Sequence, residues 1–242
     1  MRTWHRVQIA ASVAARLRSA ARRPRFPNRE PVLQLTSTSI HDGAPIDAAF
    51  AFGRPDPETH IGLSDNRSPH LAWSGAPEGT QSFALLCIDP DVPTVGDDVN
   101  QEGKVVSAQL PRTDFVHWAM VDVPPTCTEL AAGSCGEGVV ARGKQDPPGP
   151  DGARQGVNDY TGWFAGDADM SGAYKGYDGP CPPWNDELVH RYTFTVYALD
   201  CASLDVGGDF TAADVQAAMA DHVLASASLT GTYTNNPALA GG

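Results

Sequence analysis

Apolar and polar positions change their rhythm once along this chain. From Trp4 to Arg23, the residues Val7, Ile9, Ala10, Val13, Ala14 and Leu17 recur at roughly helical spacing with arginines between them. That pattern fits a basic helix lying on a surface, a partner-binding arm or a loosely ordered extension. Pro24, Pro27 and Pro31 break it, which sets a boundary between an arginine-rich extension, residues 1–30, and a body, residues 31–242. In the body the period shortens to that of strands. Val32 to Ser37 alternates, and Ser82 to Asp89 is a continuous apolar run of strand length that ends at a turn. Phe115 to Val121 and Arg191 to Leu199 are rich in aromatic and β-branched residues, and a last strand is expected over Ser228 to Tyr233. One helix stands out, capped by Asp209 or Thr211 and running through Val215, Met219 and Val223. Gly143 to Gly179 is dominated by Gly, Pro, Asp and Asn and reads as a long ordered loop. The fold class is therefore mainly β with minor α.

Composition narrows the function. The chain has 242 residues, 41% of them hydrophobic, enough for a self-sufficient core and too apolar for disorder. Its 24 glycines and 20 prolines favour turns between short strands. Eight arginines and no acid precede Glu30, which leaves 9 basic against 29 acidic side chains from Glu30 onward. Such a body repels nucleic acid and anionic membrane. No apolar run is long enough to span a bilayer, and Arg16 and Arg18 interrupt what a secretory signal would need. The five cysteines are odd in number and form no C-x-x-C pair, so reduced thiols and a cytoplasmic location are expected. Cys127 and Cys135 flank a short loop and could pair in an oxidising compartment, but reduced thiols are the default.

Familiar chemistries drop out next. The chain lacks a P-loop, G-x-G-x-x-G, G-x-S-x-G and H-E-x-x-H, and its seven histidines are scattered singly. What remains is polar groups at the ends of apolar strands. Asp89-Pro90-Asp91-Val92-Pro93 places two carboxylates in a stretch whose prolines restrict the backbone, either as directed groups or as plain turn caps. His117 is set into an apolar strand, where alternation puts it on a face with Phe115 and Ala119, as a core histidine or a site residue. Gly179-Pro180-Cys181-Pro182-Pro183 makes a stiff wall and leads into a strand with His190 and Tyr192 on one face and Arg191 on the other. An imidazole and a phenol side by side can both donate to an anion, although a structural Tyr and a solvent-facing His would leave the same trace.

Taken in order, Asp-Pro-Asp-x-Pro, His-Trp on a strand, Gly-Pro-x-Pro-Pro and His-Arg-Tyr-x-Phe resemble the phosphatidylethanolamine-binding protein family. The prokaryotic branch, the Raf kinase inhibitor-like proteins, is the closer likeness. Asn158 to Trp163, followed by Tyr177-Asp178-Gly179, is similar to that branch as well. The resemblance covers roughly Val32 to Tyr233 and leaves out the arginine-rich start. Two stretches depart from the pattern: Trp184 to Val189, which implies a narrower or more acidic rim, and the acidic loop Gly96 to Gly103.

The resemblance implies two packed, mainly antiparallel sheets, a C-terminal helix and a small cavity for phosphate or a phosphorylated head group. Asp89, Asp91, Pro93, His117, Gly179, Pro180, Pro182, His190 and Tyr192 would line or support it. A carboxylate beside an imidazole would keep the histidine cationic, while the acidic body keeps affinity for free phosphate weak. A kinase or protease is the implied protein partner, and a homodimer through Trp163 and Phe164 is a further expectation. No cofactor and no metal are expected. No nucleophile with an adjacent base is evident, so a binding or inhibitory protein is expected rather than an enzyme. The alternative is a hydrolase acting on a phosphoester or ester through the same histidines and acids. A third reading is an interaction module that works through the basic arm.

Overall fold

In the computed structural model, residues 32–239 are described; the amphipathic pattern from Trp4 to Arg23 lies outside them. The main sheet is built on three long strands: β5 (Ser82–Pro93), β6 (Arg112–Val123) and β9 (His190–Leu199). Two flanking strands complete it, β8 (Arg154–Gln155) and β10 (Val223–Tyr233), in the order β10-β9-β5-β6-β8 with every pair antiparallel. A second sheet, β1 (Gln34–Thr36), β4 (Leu71–Ser74) and β7 (Glu129–Leu130), packs on one face, and β2 (Gly53–Asp56) with β3 (His60–Leu63) forms a separate hairpin.

Side-chain alternation explains the layers. Phe83, Leu85 and Cys87 of β5 join Phe194 and Val196 of β9 in a core shared with Leu71, Trp73 and Leu130 of the small sheet. The intervening Ala84 and Leu86 face the other way, with Ala119 and Val121, and are covered by α2 (Ala212–Met219) through Ala212, Val215 and Met219. Thr211 and Asp214 close a reciprocal capping box at the start of α2. The helix ends at Met219, and Val223, expected within it, opens β10 instead.

The turn expected at Asp89 is a second difference. β5 runs on through Pro93, and Asp89 to Val92 spans three steps against two from Phe115 to Thr113 on β6. This bulge accommodates a proline that cannot donate to the ladder. The long loop contains β8 and one helical turn, α1 (Tyr160–Trp163). All five cysteines are free thiols, so Cys127 and Cys135 are not bridged. No helix among the described residues is long and apolar enough to cross a membrane.

Candidate functional site

At the Asp89 end of the main sheet lies a cavity of about 50 Å³, room for about three or four water-sized groups. Asp89 on β5 and His190 and Tyr192 on β9 reach it by alternation, from the face that carries the main core lower down. His117 reaches it by a different route. Cys87 pairs with Trp118 and the next residue, Ile88, with Val116, so His117 is the extra residue of a bulge. The bulge puts Ala119 on the α2 side while the His117 ring stands 5.1 Å from that of Tyr192 and 5.0 Å from that of Phe115. The expected shared face with Phe115 is thus present and that with Ala119 is not. The carbonyl left free by the bulge accepts the Asp178 N–H at 3.1 Å.

His190 is wholly buried and saturated. Its Nδ1 bonds Asp89 Oδ2 at 2.7 Å and its Nε2 bonds Asp186 Oδ2 at 3.2 Å. Arg112 clamps Asp186 from behind with two bonds, at 2.6 and 3.0 Å. Burial opposes the imidazolium, but the bonds to Asp186 and Asp89 outweigh it and raise its pKa to about 9. His117 is different. Its Nδ1 bonds the Asp178 carbonyl at 2.7 Å, which assigns the proton to Nδ1, and its Nε2 has no hydrogen-bond partner among the described residues. Burial outweighs the pull of Asp89 and the Asp178 carbonyl and lowers its pKa, so this ring is neutral. The Tyr192 hydroxyl is buried without a hydrogen-bond partner. Burial, then the charge of Asp89, push its pKa well up; the Asp89 carboxylate is close enough to add to that rise but makes no hydrogen bond of normal geometry with the hydroxyl, which remains a donor.

Of the expected residues, Asp89, Pro93, His117, Pro182, His190 and Tyr192 line the cavity together. Asp91, Gly179 and Pro180 do not. The β5 bulge turns Asp91 away from the imidazoles to the far side of β9, where it takes three bonds from Arg191 at 2.7 to 2.9 Å. Gly179 lies behind the wall, where a Cβ would come within 2.1 Å of the Phe50 carbonyl; its own carbonyl receives the Tyr160 hydroxyl at 2.8 Å. The Pro180 carbonyl accepts from Phe52 and Gly53 and so anchors the wall from outside.

Sequence reasoning missed Tyr160, Val99, Asn100 and Asp186, whereas Cys181 lines the cavity as part of the expected wall. Asp159 accepts the Val116 N–H at 2.6 Å and so holds Tyr160 edge-on to His117, 5.6 Å between ring centroids. The two departing stretches prove to be one structure. Asn185 binds the carbonyls of Asp98 and Lys104 at 2.9 and 3.1 Å and receives the Asn100 N–H at 3.0 Å. This folds the acidic loop over the wall and sets Val99 and Asn100 at the rim. Asp186 is not a rim acid: it lies under the cavity, neutralised. Trp163 is half exposed at the mouth, whereas Phe164 packs against Phe52, Tyr160 and Tyr174 rather than joining a surface patch. At the opposite end of β9, Asp200, Cys201 and His222 also converge, and the 2.8 Å bond between His222 and Asp200 accounts for that cluster as a surface pair.

A family model described as phosphatidylethanolamine-binding protein matches residues 36–234, a span containing every group above. The chain belongs to the phosphatidylethanolamine-binding protein family. Its relatives place it in the prokaryotic branch. It is 32% identical to the UPF0098 protein YbhB of Escherichia coli, over 84% of this chain and 100% of that protein. It is 38% identical to a UPF0098 protein of Methanothermobacter thermautotrophicus, over 70% and 83%. The crystal structure of Escherichia coli YbcL, titled as a member of the mammalian family, superposes with a TM-score of 0.60 at 30% identity, covering 84% of this chain and 98% of that one. Family membership accounts for the two-sheet body and for the order of the motifs; what this cavity can do follows from its own polar groups.

Proposed function

We propose that this chain is a binding protein whose cavity takes a small oxyanion, either phosphate or the phosphoryl end of a phosphorylated head group. The observation that carries the reading is the Tyr192 hydroxyl, a buried donor with no partner on the wall of a cavity of matching size. Leaving such a group unsatisfied costs about 1–3 kcal/mol, which a guest oxygen would recover. Family membership supports the same reading.

Binding is favoured over hydrolysis. Both nitrogens of His190 are occupied, and burial pushes the Cys181 thiol in the wall up to about 12, so it is no ready nucleophile. Obstruction of a kinase or protease extends the reading: a phosphorylated segment of the partner would meet Trp163 at the mouth. Five free thiols suit the reducing cytoplasm.

Thermal unfolding in a phosphate series tests the proposal. At about a hundredfold excess over Kd, phosphate should add about 2.7 kcal/mol of stability. Tyr192→Phe should abolish that gain, and a gain kept in full by this variant overturns the assignment.

A further inference from the structure

We infer that the cavity takes its guest together with a proton, so that the bound species is a singly charged, protonated oxyanion such as a phosphomonoester monoanion. The inference rests on the proposed oxyanion site and follows from counting which polar atoms around it are free. Two imidazoles would ordinarily be assigned as donors to a dianion. Here His190 has no N–H left, because Asp89 and Asp186 take both. The Tyr160 hydroxyl is committed to the Gly179 carbonyl. Asn100 and Trp163 carry their N–H groups at the exposed mouth; beside His117, the free donor is the Tyr192 hydroxyl, its ring 5.1 Å away, with one free acceptor, His117 Nε2, and the carboxylate of Asp89.

The charges point the same way. Asp89 and Asp186 are balanced by His190 and Arg112, so the floor has no surplus positive charge to offer a dianion. His117 is faced by Asp89 from β5, Asp159 and Tyr160 from the α1 segment, Asp178 from the segment before the wall and Tyr192 from β9. None of these is a cation; the imidazolium of His190, which lines the same cavity, has both N–H groups held by Asp89 and Asp186, and Lys144, the base nearest Asp178, is bound to that carboxylate at 2.7 Å. A guest bearing both an ionised oxygen and a P–OH complements the set: the ionised oxygen accepts from Tyr192, and the P–OH donates to His117 Nε2 or Asp89. If the guest arrives as the dianion, the missing proton comes from solvent and settles on the guest oxygen that faces His117 Nε2 or Asp89. One proton from the buffer therefore enters with it.

Calorimetric titration with methyl phosphate in two buffers of different ionisation heat counts that proton. With the second ionisation of a phosphomonoester near pH 6, uptake at pH 8 should approach one proton per site. The association constant should accordingly fall about tenfold per pH unit above neutrality. Methyl sulfate, of similar shape and single charge but without an exchangeable proton, should bind at least about tenfold more weakly at pH 7. The basis of that expectation is that a donor-matched site rejects an analogue lacking its donor. Methyl phosphate binding with no proton uptake, or methyl sulfate binding equally well across pH 6 to 8, overturns this inference and leaves the oxyanion site standing. Absence of methyl phosphate binding at every pH overturns both.

Discussion

The buried polar groups around the cavity fall into two sets, a few ångströms apart and completed to different degrees. Beneath the cavity, Arg112, Asp186, His190 and Asp89 form a chain of alternating charge with both imidazole nitrogens occupied. At its side, His117 keeps one nitrogen free and Tyr192 keeps its hydroxyl free. Burial acts on both histidines alike, yet it loses to two carboxylates at His190 and wins at His117. The first set therefore carries a fixed charge and holds the strand ends together, and the second is left for a guest. Proximity to a cavity does not separate the two roles; the count of satisfied hydrogen bonds does.

The largest expected effect breaks the saturated set. Asp186→Ala removes one of the two carboxylates that hold the buried His190 imidazolium and, among the described residues, the only carboxylate on Arg112, and should cost about 3–5 kcal/mol in urea unfolding. If His117→Gln costs as much, the contrast between the sets fails.

Next comes pH. With its pKa raised from 6.5 to about 9, His190 contributes stability that is fully present below about pH 6.5 and disappears as pH rises towards 9. The loss is on the order of 3 kcal/mol. His117 has the opposite sign: its lowered pKa makes acidification below its ordinary value destabilising. Unfolding of wild type from pH 6 to 9 should show the alkaline decline, and His190→Gln should flatten it; an unchanged slope in that variant contradicts the ion-pair assignment.

Tyr192→Phe removes an unpaired hydroxyl and should leave stability within about 1 kcal/mol of wild type, or raise it. A larger loss would mean that the hydroxyl already has a partner. The smallest effect is at Asp91. Its partner Arg191 is 59% exposed, so Arg191→Ala should cost at most about 1 kcal/mol and leave phosphate stabilisation intact. Loss of that stabilisation would place Asp91 within the site.

These contrasts also explain how much could be read from the sequence. β5, β6 and β9 were legible because ten to twelve residues of apolar and aromatic character carry a clear strand signal. β2, β3, β4, β7 and β8 are two to four residues long, too short for any period to register. At the site, alternation put His190 and Tyr192 on one face, as they stand, but put His117 with Ala119, and the resemblance put Asp91 at the cavity; one bulge in β5 and another in β6 each shift the parity by one residue. Asp186 and Asn100 left no local mark. Their roles come from loop contacts across 74 and 85 residues of sequence.

The most direct test is a crystal structure of the protein soaked in phosphate. The account predicts one tetrahedral anion in the cavity, within hydrogen-bond distance of Tyr192 Oη and His117 Nε2, with both His190 bonds unbroken. An empty cavity in a crystal that holds phosphate elsewhere, or an anion bound through a His190 released from Asp89, would contradict it.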